Sequence, residues 1–288
     1  MPLSASQLVI VALEILLLAG GGLALARLLG RPEQRARVFG TNRLTHWSIS
    51  GPEVTLLVVL FFLLGMVGQG MALHFFGAAV KASPDRSGLE VALYGFGFHG
   101  VALLAWPFFH LVRRQLHTEY GGEPPPPPVT HRLGLGKLAG HGFVTLALAL
   151  PVLTLASLIW TSLLRAVGLP DAPQDLIAIF DGTQNPVVLV AMLLVACVLA
   201  PLNEELIFRG VIYRFCRQRF GRGLALGVSG VLFGALHQNW AGFVPLALLG
   251  VALALAYERT GDLRVPVLAH ALFNVNTVLV VLSGLPGT

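Results

Sequence analysis

Residues 186–211 read PVVLVAMLLVACVLAPLNEELIFRGV and contain the pattern that decides the fold. The first 18 of these residues, 186–203, include no charged side chain. An α-helix of about 20 apolar residues is long enough to cross the hydrocarbon core of a bilayer. Two glutamates, Glu204 and Glu205, and then Arg209 follow directly. Ionisable groups are costly inside a membrane, so the segment is predicted to be a membrane span that carries functional polar residues.

Apolar stretches of similar length recur along the whole chain. Of its 288 residues, 55% are hydrophobic and only 11% are charged. Soluble domains usually carry about 25% charged residues. We therefore predict an all-α, polytopic membrane protein with about eight transmembrane helices. The predicted spans are residues 6–29, 54–80, 89–112, 142–166, 187–214, 223–240, 242–258 and 264–282.

The basic residues are concentrated in alternate loops, those that follow predicted spans one, three, five and seven. The loop at 167–186 instead holds Asp171, Asp175 and Asp181, with no Lys or Arg. By the positive-inside rule, the basic loops face the cytoplasm and both termini lie outside a cell membrane. The same distribution accounts for the net charge of +5 without a nucleic-acid partner.

A run of five prolines at 124–128 lies in the longest predicted cytoplasmic loop. Consecutive prolines favour an extended polyproline helix, which acts as a semi-rigid spacer. We therefore expect a Pro-rich cytoplasmic linker at 123–140. It would divide an N-terminal three-helix membrane unit, residues 1–122, from a C-terminal core, residues 141–288.

The first polar set within a predicted span is formed by Glu204, Glu205 and Arg209. Adjacent side chains on a helix point about 100° apart, so the two carboxylates cannot easily share one role. Glu205 and Arg209 are four residues apart and can pair along one face. Glu204 is then left to turn toward another helix and act as a general base for water. An ion pair at an interfacial helix end is the alternative interpretation.

The second polar set is Phe233 with His237, whose i,i+4 spacing stacks the two rings on one helix face. A single buried histidine can also be purely structural. Small residues on the same helix would let a neighbouring helix approach closely. These are Gly227, Gly230 and Gly234.

The third polar set is His270 with Asn274, again four residues apart. Two hydrogen-bond donors aimed at one point are what an oxyanion hole requires, and a helix–helix hydrogen-bond pair is the alternative. We expect both residues to meet Glu204 and His237 in one chamber open to the cytoplasm. Single polar residues in the first three spans are instead expected to be packing or interfacial groups; these are Glu14, His74, His99 and His110.

Taken in order, the three sets resemble the motifs of the CPBP family, which comprises CAAX prenyl endopeptidases and bacteriocin-processing enzymes and is also called the Abi family. The resemblance covers about residues 187–282 and implies an eight-helix intramembrane peptidase. The motifs are Glu204-Glu205-x-x-x-Arg209, Phe233-x-x-x-His237 and His270-x-x-x-Asn274.

The resemblance also implies a metal-free glutamate mechanism with no cofactor. In that mechanism, Glu204 activates water with help from His237. His270 and Asn274 stabilise the tetrahedral oxyanion, and the ion pair of Glu205 holds the geometry. The implied substrate is a membrane-associated protein or peptide, such as a CAAX-like or sorting tail at a C-terminus, which is cleaved near the cytoplasmic face.

Three other interpretations fit parts of the sequence. Gly227-Val228-Ser229-Gly230 matches a GxSG box, so a rhomboid-like serine peptidase would use Ser229 with His270. Two histidines and a glutamate could bind Zn²⁺ with an open fourth position, although no HExxH motif is present. A non-catalytic membrane scaffold or immunity protein could be built on the same fold, because fold does not fix function.

Overall fold

The computed structural model describes residues 3–119, 131–172, 179–180 and 182–285. Within these ranges the chain forms helices and no β-strand, which confirms the predicted all-α class. The proline run at 124–128 lies outside the described residues, as do Asp175 and Asp181. The helices are α1 (Ala5–Gly30), α2 (Pro32–Gly40), α3 (Gly51–Lys81), α4 (Arg86–Ala102), α5 (Ala105–Glu119), α6 (Leu135–Ala166), α7 (Pro186–Phe220), α8 (Arg222–Leu236), α9 (Trp240–Thr260) and α10 (Arg264–Leu282).

Seven stretches of the described chain are long and apolar enough to cross a membrane. They are α1, α3, α4 together with α5, α6, α7, α9 and α10. The shorter α8, of 15 residues, is also apolar. Each predicted span coincides in order with one of these elements, so the prediction of a multi-pass membrane protein is confirmed.

The predicted span at 89–112 is wrong in one respect, because the structure breaks it into α4 and α5 at Leu103 and Leu104. Pro107 explains the break. A proline has no amide hydrogen, and its ring clashes with the carbonyl four residues earlier, which here belongs to Leu103. The short helix α2 was also missed, since the sequence was read there as a basic loop.

The predicted span at 223–240 is also too long. The helix α8 ends at Leu236, and Gln238 has a φ of 50°, a left-handed conformation that does not continue a helix. The side chain of Asn239 accepts a hydrogen bond from the amide of Gly242 at 2.7 Å and so caps α9. His237 therefore lies at the turn between α8 and α9 rather than within a helix.

Packing contacts cross the predicted boundary at residue 122. The first helix, α1, lies against α6, and α4 lies against α7. The division into the units 1–122 and 141–288 stays a prediction.

A cluster of charged side chains ties together the ends of α7, α8 and α9. Glu258 of α9 is buried, and its two carboxylate oxygens accept separate ion-pair hydrogen bonds. Arg217 of α7 donates from Nε to Oε1, and Arg222 of α8 donates from Nε to Oε2, both at 2.7 Å. We call these three residues the Glu258 cluster.

Candidate active site

The helix α7 departs from α-helical geometry on both sides of the two glutamates. Val195–Leu199 and Leu206–Tyr213 are π-helical, a geometry that is frequent at functional sites. Ala200 donates its amide hydrogen to Val195, and Pro201 has none to donate. The carbonyl oxygen of Ala196 would accept from the amide of Ala200 in an α-helix and from that of residue 201 in a π-helix. It has neither donor here.

Asn274 of α10 satisfies this carbonyl. Its Nδ2 donates to the oxygen of Ala196 at 2.7 Å, which fixes α10 against α7. An amide group has two N–H donors, so the second hydrogen on Nδ2 is not used by this contact. One of the two interpretations of Asn274, the helix–helix hydrogen bond, is therefore seen directly, and its role in an oxyanion hole stays a prediction.

Glu205 and Arg209 form the predicted i,i+4 ion pair, and both side chains are 0% exposed. Arg209 donates from Nη1 to Oε1 of Glu205 at 2.7 Å and from Nη2 to the carbonyl of Gly250 at 3.0 Å. Its guanidinium lies 4.5 Å from the centre of the Phe233 ring, within range of a cation–π contact. Glu205 is therefore committed to a closed, buried ion pair.

His270 links the two glutamates across helices. Its Nδ1 lies 3.0 Å from Oε1 of Glu205, and its Nε2 lies 3.9 Å from Oε2 of Glu204. Because an ionised carboxylate can only accept hydrogen bonds, Nδ1 carries the hydrogen toward Glu205. Nε2 is then the atom that faces Glu204.

Glu204 differs from its neighbour Glu205 in both exposure and partners. Its side chain is 24% exposed, and its buried Oε2 has no hydrogen-bond partner among the described residues. The partial exposure of its side chain leaves Glu204, unlike the fully buried Glu205, accessible to a water molecule or a substrate. The predicted pairing of Glu205 with Arg209 is thus observed, and the role of Glu204 as a general base stays a prediction.

Phe233 and His237 stack as predicted, with ring centres 5.0 Å apart. Nδ1 of His237 lies 2.7 Å from the carbonyl oxygen of Phe233, which can only accept a hydrogen bond. The ring of Phe233 also lies 5.4 Å from that of His270. The ring of Phe233 therefore contacts the imidazoles of both His237 and His270. The role of His237 as a helper of Glu204 stays a prediction.

The prediction that glycines let a helix approach α8 is confirmed at two of three positions. A Cβ added at Gly234 would lie 2.6 Å from the carbonyl oxygen of Phe243 in α9. One added at Gly230 would lie 2.7 Å from that of Ala247. A Cβ added at Gly227 would have no neighbouring atom within 4 Å, so the predicted packing role of Gly227 is wrong.

The geometry does not favour a serine peptidase. Ser229 is 0% exposed, and its Oγ has no hydrogen-bond partner in the described part of the chain. The imidazole that it would need, His270, is directed toward the two glutamates. Among the described residues, no three His, Cys, Asp or Glu side chains form a group that could hold a metal ion.

Sequence reasoning gave no role to Asn203, which is 0% exposed and precedes Glu204. Its Nδ2 donates to the carbonyl oxygen of Leu199 at 2.9 Å and to that of His99 in α4 at 3.2 Å. Asn203 thereby ties α4 to the helix that carries the glutamates. The sequence signal that could have identified Asn203 is an amide side chain within an otherwise apolar span.

Comparisons with known proteins identify a family for the segment that carries these residues. Residues 186–276 match the family described as Type II CAAX prenyl endopeptidase Rce1-like, which confirms the resemblance over the segment α7–α10. No solved structure matches the chain.

Two similar relatives come from well-known bacteria. One is the Escherichia coli "Uncharacterized 24.3 kDa protein", 34% identical over 111 residues that make up 37% of this chain and 50% of the relative. Another is the Bacillus subtilis (strain 168) "Putative membrane peptidase YdiL", 30% identical over 92 residues, or 32% of this chain and 38% of the relative. The chain therefore spans at most about half the length of these relatives.

Proposed function

We propose that this chain, whose residues 186–276 belong to the Rce1-like CAAX prenyl endopeptidases, is an intramembrane endopeptidase of the glutamic type. The observation that carries the proposal is the difference between two adjacent glutamates. Glu205 is 0% exposed and paired with Arg209, whereas the side chain of Glu204 is 24% exposed and its Oε2 lies 3.9 Å from Nε2 of His270. A carboxylate held in this way is suited to activate water.

In the proposed reaction, Glu204 takes a proton from water while the water oxygen attacks the carbonyl carbon of the scissile peptide. The negative charge that develops on the carbonyl oxygen is stabilised by the second N–H of Asn274 and by His270 in its imidazolium form, which carries a hydrogen on Nε2 as well as on Nδ1. The intermediate then collapses, the C–N bond breaks, and Glu204 returns the proton to the leaving amine. His237 would support Glu204 during the proton transfers.

The Glu205–Arg209 pair does not react in this scheme. It holds Nδ1 of His270, which fixes the orientation of the imidazole ring so that Nε2 faces the reacting atoms. The contacts of Arg209 with Gly250 and Phe233 keep the pair in place. Preorganised groups of this kind are worth more in a low-dielectric site than in water.

The proposed substrate is a membrane-associated protein or peptide, such as one with a CAAX-like or sorting tail at its C-terminus. The distribution of basic residues supports an orientation with both termini outside the cell membrane. In this orientation the chamber opens to the cytoplasm, and cleavage takes place near the cytoplasmic face.

The test is a proteomic comparison of membrane-protein termini in cells that express the wild type or Glu204→Gln. Glu14→Gln is a matched control, since it makes the same chemical change in α1, away from the site. We expect new termini with the wild type and Glu14→Gln and none with Glu204→Gln. Identical profiles in all three, with biological function retained in Glu204→Ala, would instead favour the scaffold or immunity protein.

A further inference from the structure

The helix α4 contributes a residue to the surroundings of Glu204, although it lies outside the segment that matches the peptidase family. Gly88, Ala92, Gly95 and His99 recur at intervals of four, three and four residues, which places them on one helix face. This face packs against α7, and a Cβ at Gly95 would lie 2.2 Å from Cγ1 of Val195. The small residues thus bring the two backbones together just before His99.

A hydrogen bond fixes this contact at the level of the glutamates. The buried amide of Asn203 donates to the backbone carbonyl of His99, one residue before Glu204 in α7. His99 lies on the face of α4 that packs against α7, and Glu204 directly follows Asn203, so the two residues flank this hydrogen bond.

Both side chains have a buried polar atom without a described partner. These atoms are Nδ1 of His99 and Oε2 of Glu204. Buried polar groups are nearly always hydrogen-bonded, so two such atoms in neighbouring side chains call for a common explanation. A hydrogen bond between them, direct or through one water molecule, would satisfy both.

We infer that His99 is a positioning residue for Glu204, which it holds and keeps ionised from the neighbouring helix α4. The inference rests on the proposed function, since it assigns His99 to the same reaction. Glu204 would then be flanked by two imidazoles, that of His270 from α10 and that of His99 from α4.

The other charged groups around Glu204 do not replace His99. Glu205 and Arg209 neutralise each other within α7. His237, at the α8–α9 turn, contacts the ring of Phe233. His99 is thus the residue that α4, outside the segment α7–α10, contributes to the surroundings of Glu204.

The inference predicts how the pH dependence of cleavage changes. A hydrogen-bond donor to an ionised carboxylate favours the ionised form, and the acid limb of a kcat/KM profile reports when the essential base of the free enzyme becomes ionised. Loss of the His99 donor should therefore move the acid limb to higher pH. The misplaced carboxylate should lower kcat by about tenfold to a hundredfold with little change in KM.

The experiment uses the full chain in lipid nanodiscs and a peptide that spans the cleavage site found by the terminal proteomics. His99→Leu removes the donor, and His99→Asn restores an N–H near the position of Nδ1. We expect the Leu variant to show the lower kcat and the shifted acid limb, and the Asn variant to recover most of both. Phe96→Leu is the control on the outer face of α4, where Phe96 is 40% exposed, and should behave like the wild type.

Equal losses in the Leu and Asn variants, or a Leu variant with the kcat and acid limb of the wild type, would overturn the inference. If the Leu variant does not fold, His99→Gln replaces it, because its amide nitrogen lies near the position of Nε2. A Gln variant that behaves like the wild type would then count against His99. Glu204→Gln in the same assay separates the two claims. A fully active Glu204→Gln variant would refute the proposed function. An inactive Glu204→Gln variant beside a fully active His99→Leu variant would refute only the role of His99.

Discussion

Two groups of side chains contain buried carboxylates but distribute their hydrogen bonds differently. One is the site cluster, formed by Glu204, Glu205 and Arg209 of α7 with His270 of α10, and the other is the Glu258 cluster at the helix ends. Each oxygen of Glu258 accepts from its own arginine. In the site, Arg209 and His270 both bind Oε1 of Glu205, and Oε2 of Glu205 and Oε2 of Glu204 are both buried without a described hydrogen-bond partner.

The comparison teaches how to separate structural from functional carboxylates within one chain. A buried carboxylate with both oxygens paired has no capacity left for chemistry and holds elements together. One with an unsatisfied oxygen bears a desolvation cost that water, a substrate or a neighbouring side chain can relieve, and it becomes a candidate for chemistry where it is also partly exposed, as Glu204 is. The four predictions that follow test this distinction, beginning with the largest expected effect.

Arg209→Leu should destabilise the protein by about 3–5 kcal/mol, because it leaves the carboxylate of Glu205 buried without its cation. The measurement is unfolding in mixed micelles at increasing denaturant. The double variant Glu205→Leu/Arg209→Leu removes both charges and should recover much of the loss. A double variant as unstable as Arg209→Leu alone would contradict the buried ion pair.

Glu258→Gln should cost less, about 1–2 kcal/mol, because Arg217 and Arg222 are partly exposed and water can solvate them. The folded fraction should keep the kcat of the wild type, since the cluster takes no part in the chemistry. Peptide cleavage and unfolding measured on the same preparation check both points. A lower kcat at wild-type stability would mean that the two clusters are not separate.

Asp262, in the loop before α10, is a third carboxylate with several partners and provides a test at low pH. Burial alone would raise its pKa, but hydrogen bonds from Arg264 and from the amide of Leu133 outweigh burial and lower the pKa below 3.8. A lowered folded-state pKa contributes stability that is present above about pH 4 and is lost as the pH falls through the folded value. Asp262→Asn should remove that pH-dependent stability, so that acid unfolding of the variant depends less on pH; identical acid unfolding of variant and wild type would speak against it.

Ser229→Ala should have the smallest effect. Its Oγ is buried and has no described partner, so its removal should leave kcat within about twofold and stability equal or slightly higher. Initial cleavage rates compared with those of the wild type decide the matter. A complete loss of cleavage in a folded Ser229→Ala protein would restore the serine-peptidase interpretation.

Local periodicity accounts for most of what the sequence predicted correctly. Hydropathy located the spans because each is long and apolar. The Glu205–Arg209 pair and the Phe233–His237 stack follow from i,i+4 spacing alone.

The misses have two physical origins. The first is proline: Pro107 breaks a span, and Pro201 lies between two π-helical stretches, effects that a hydropathy window does not register. The second is the pairing of distant helices. The contact of Asn203 with His99, 104 positions apart, depends on which faces pack together, and periodicity within one helix carries no information about that.

The order of the helices along the chain has a consequence for biosynthesis. The glutamates on α7 enter the membrane well before His270 and Asn274, which belong to the last helix of the described chain. A nascent chain that has not yet released α10 from the translocon has a carboxylate but no imidazole beside it and no amide bound to Ala196. Under the proposed mechanism, the catalytic base therefore reaches the membrane before the groups that orient it, and cleavage would begin only once α10 has packed against α7.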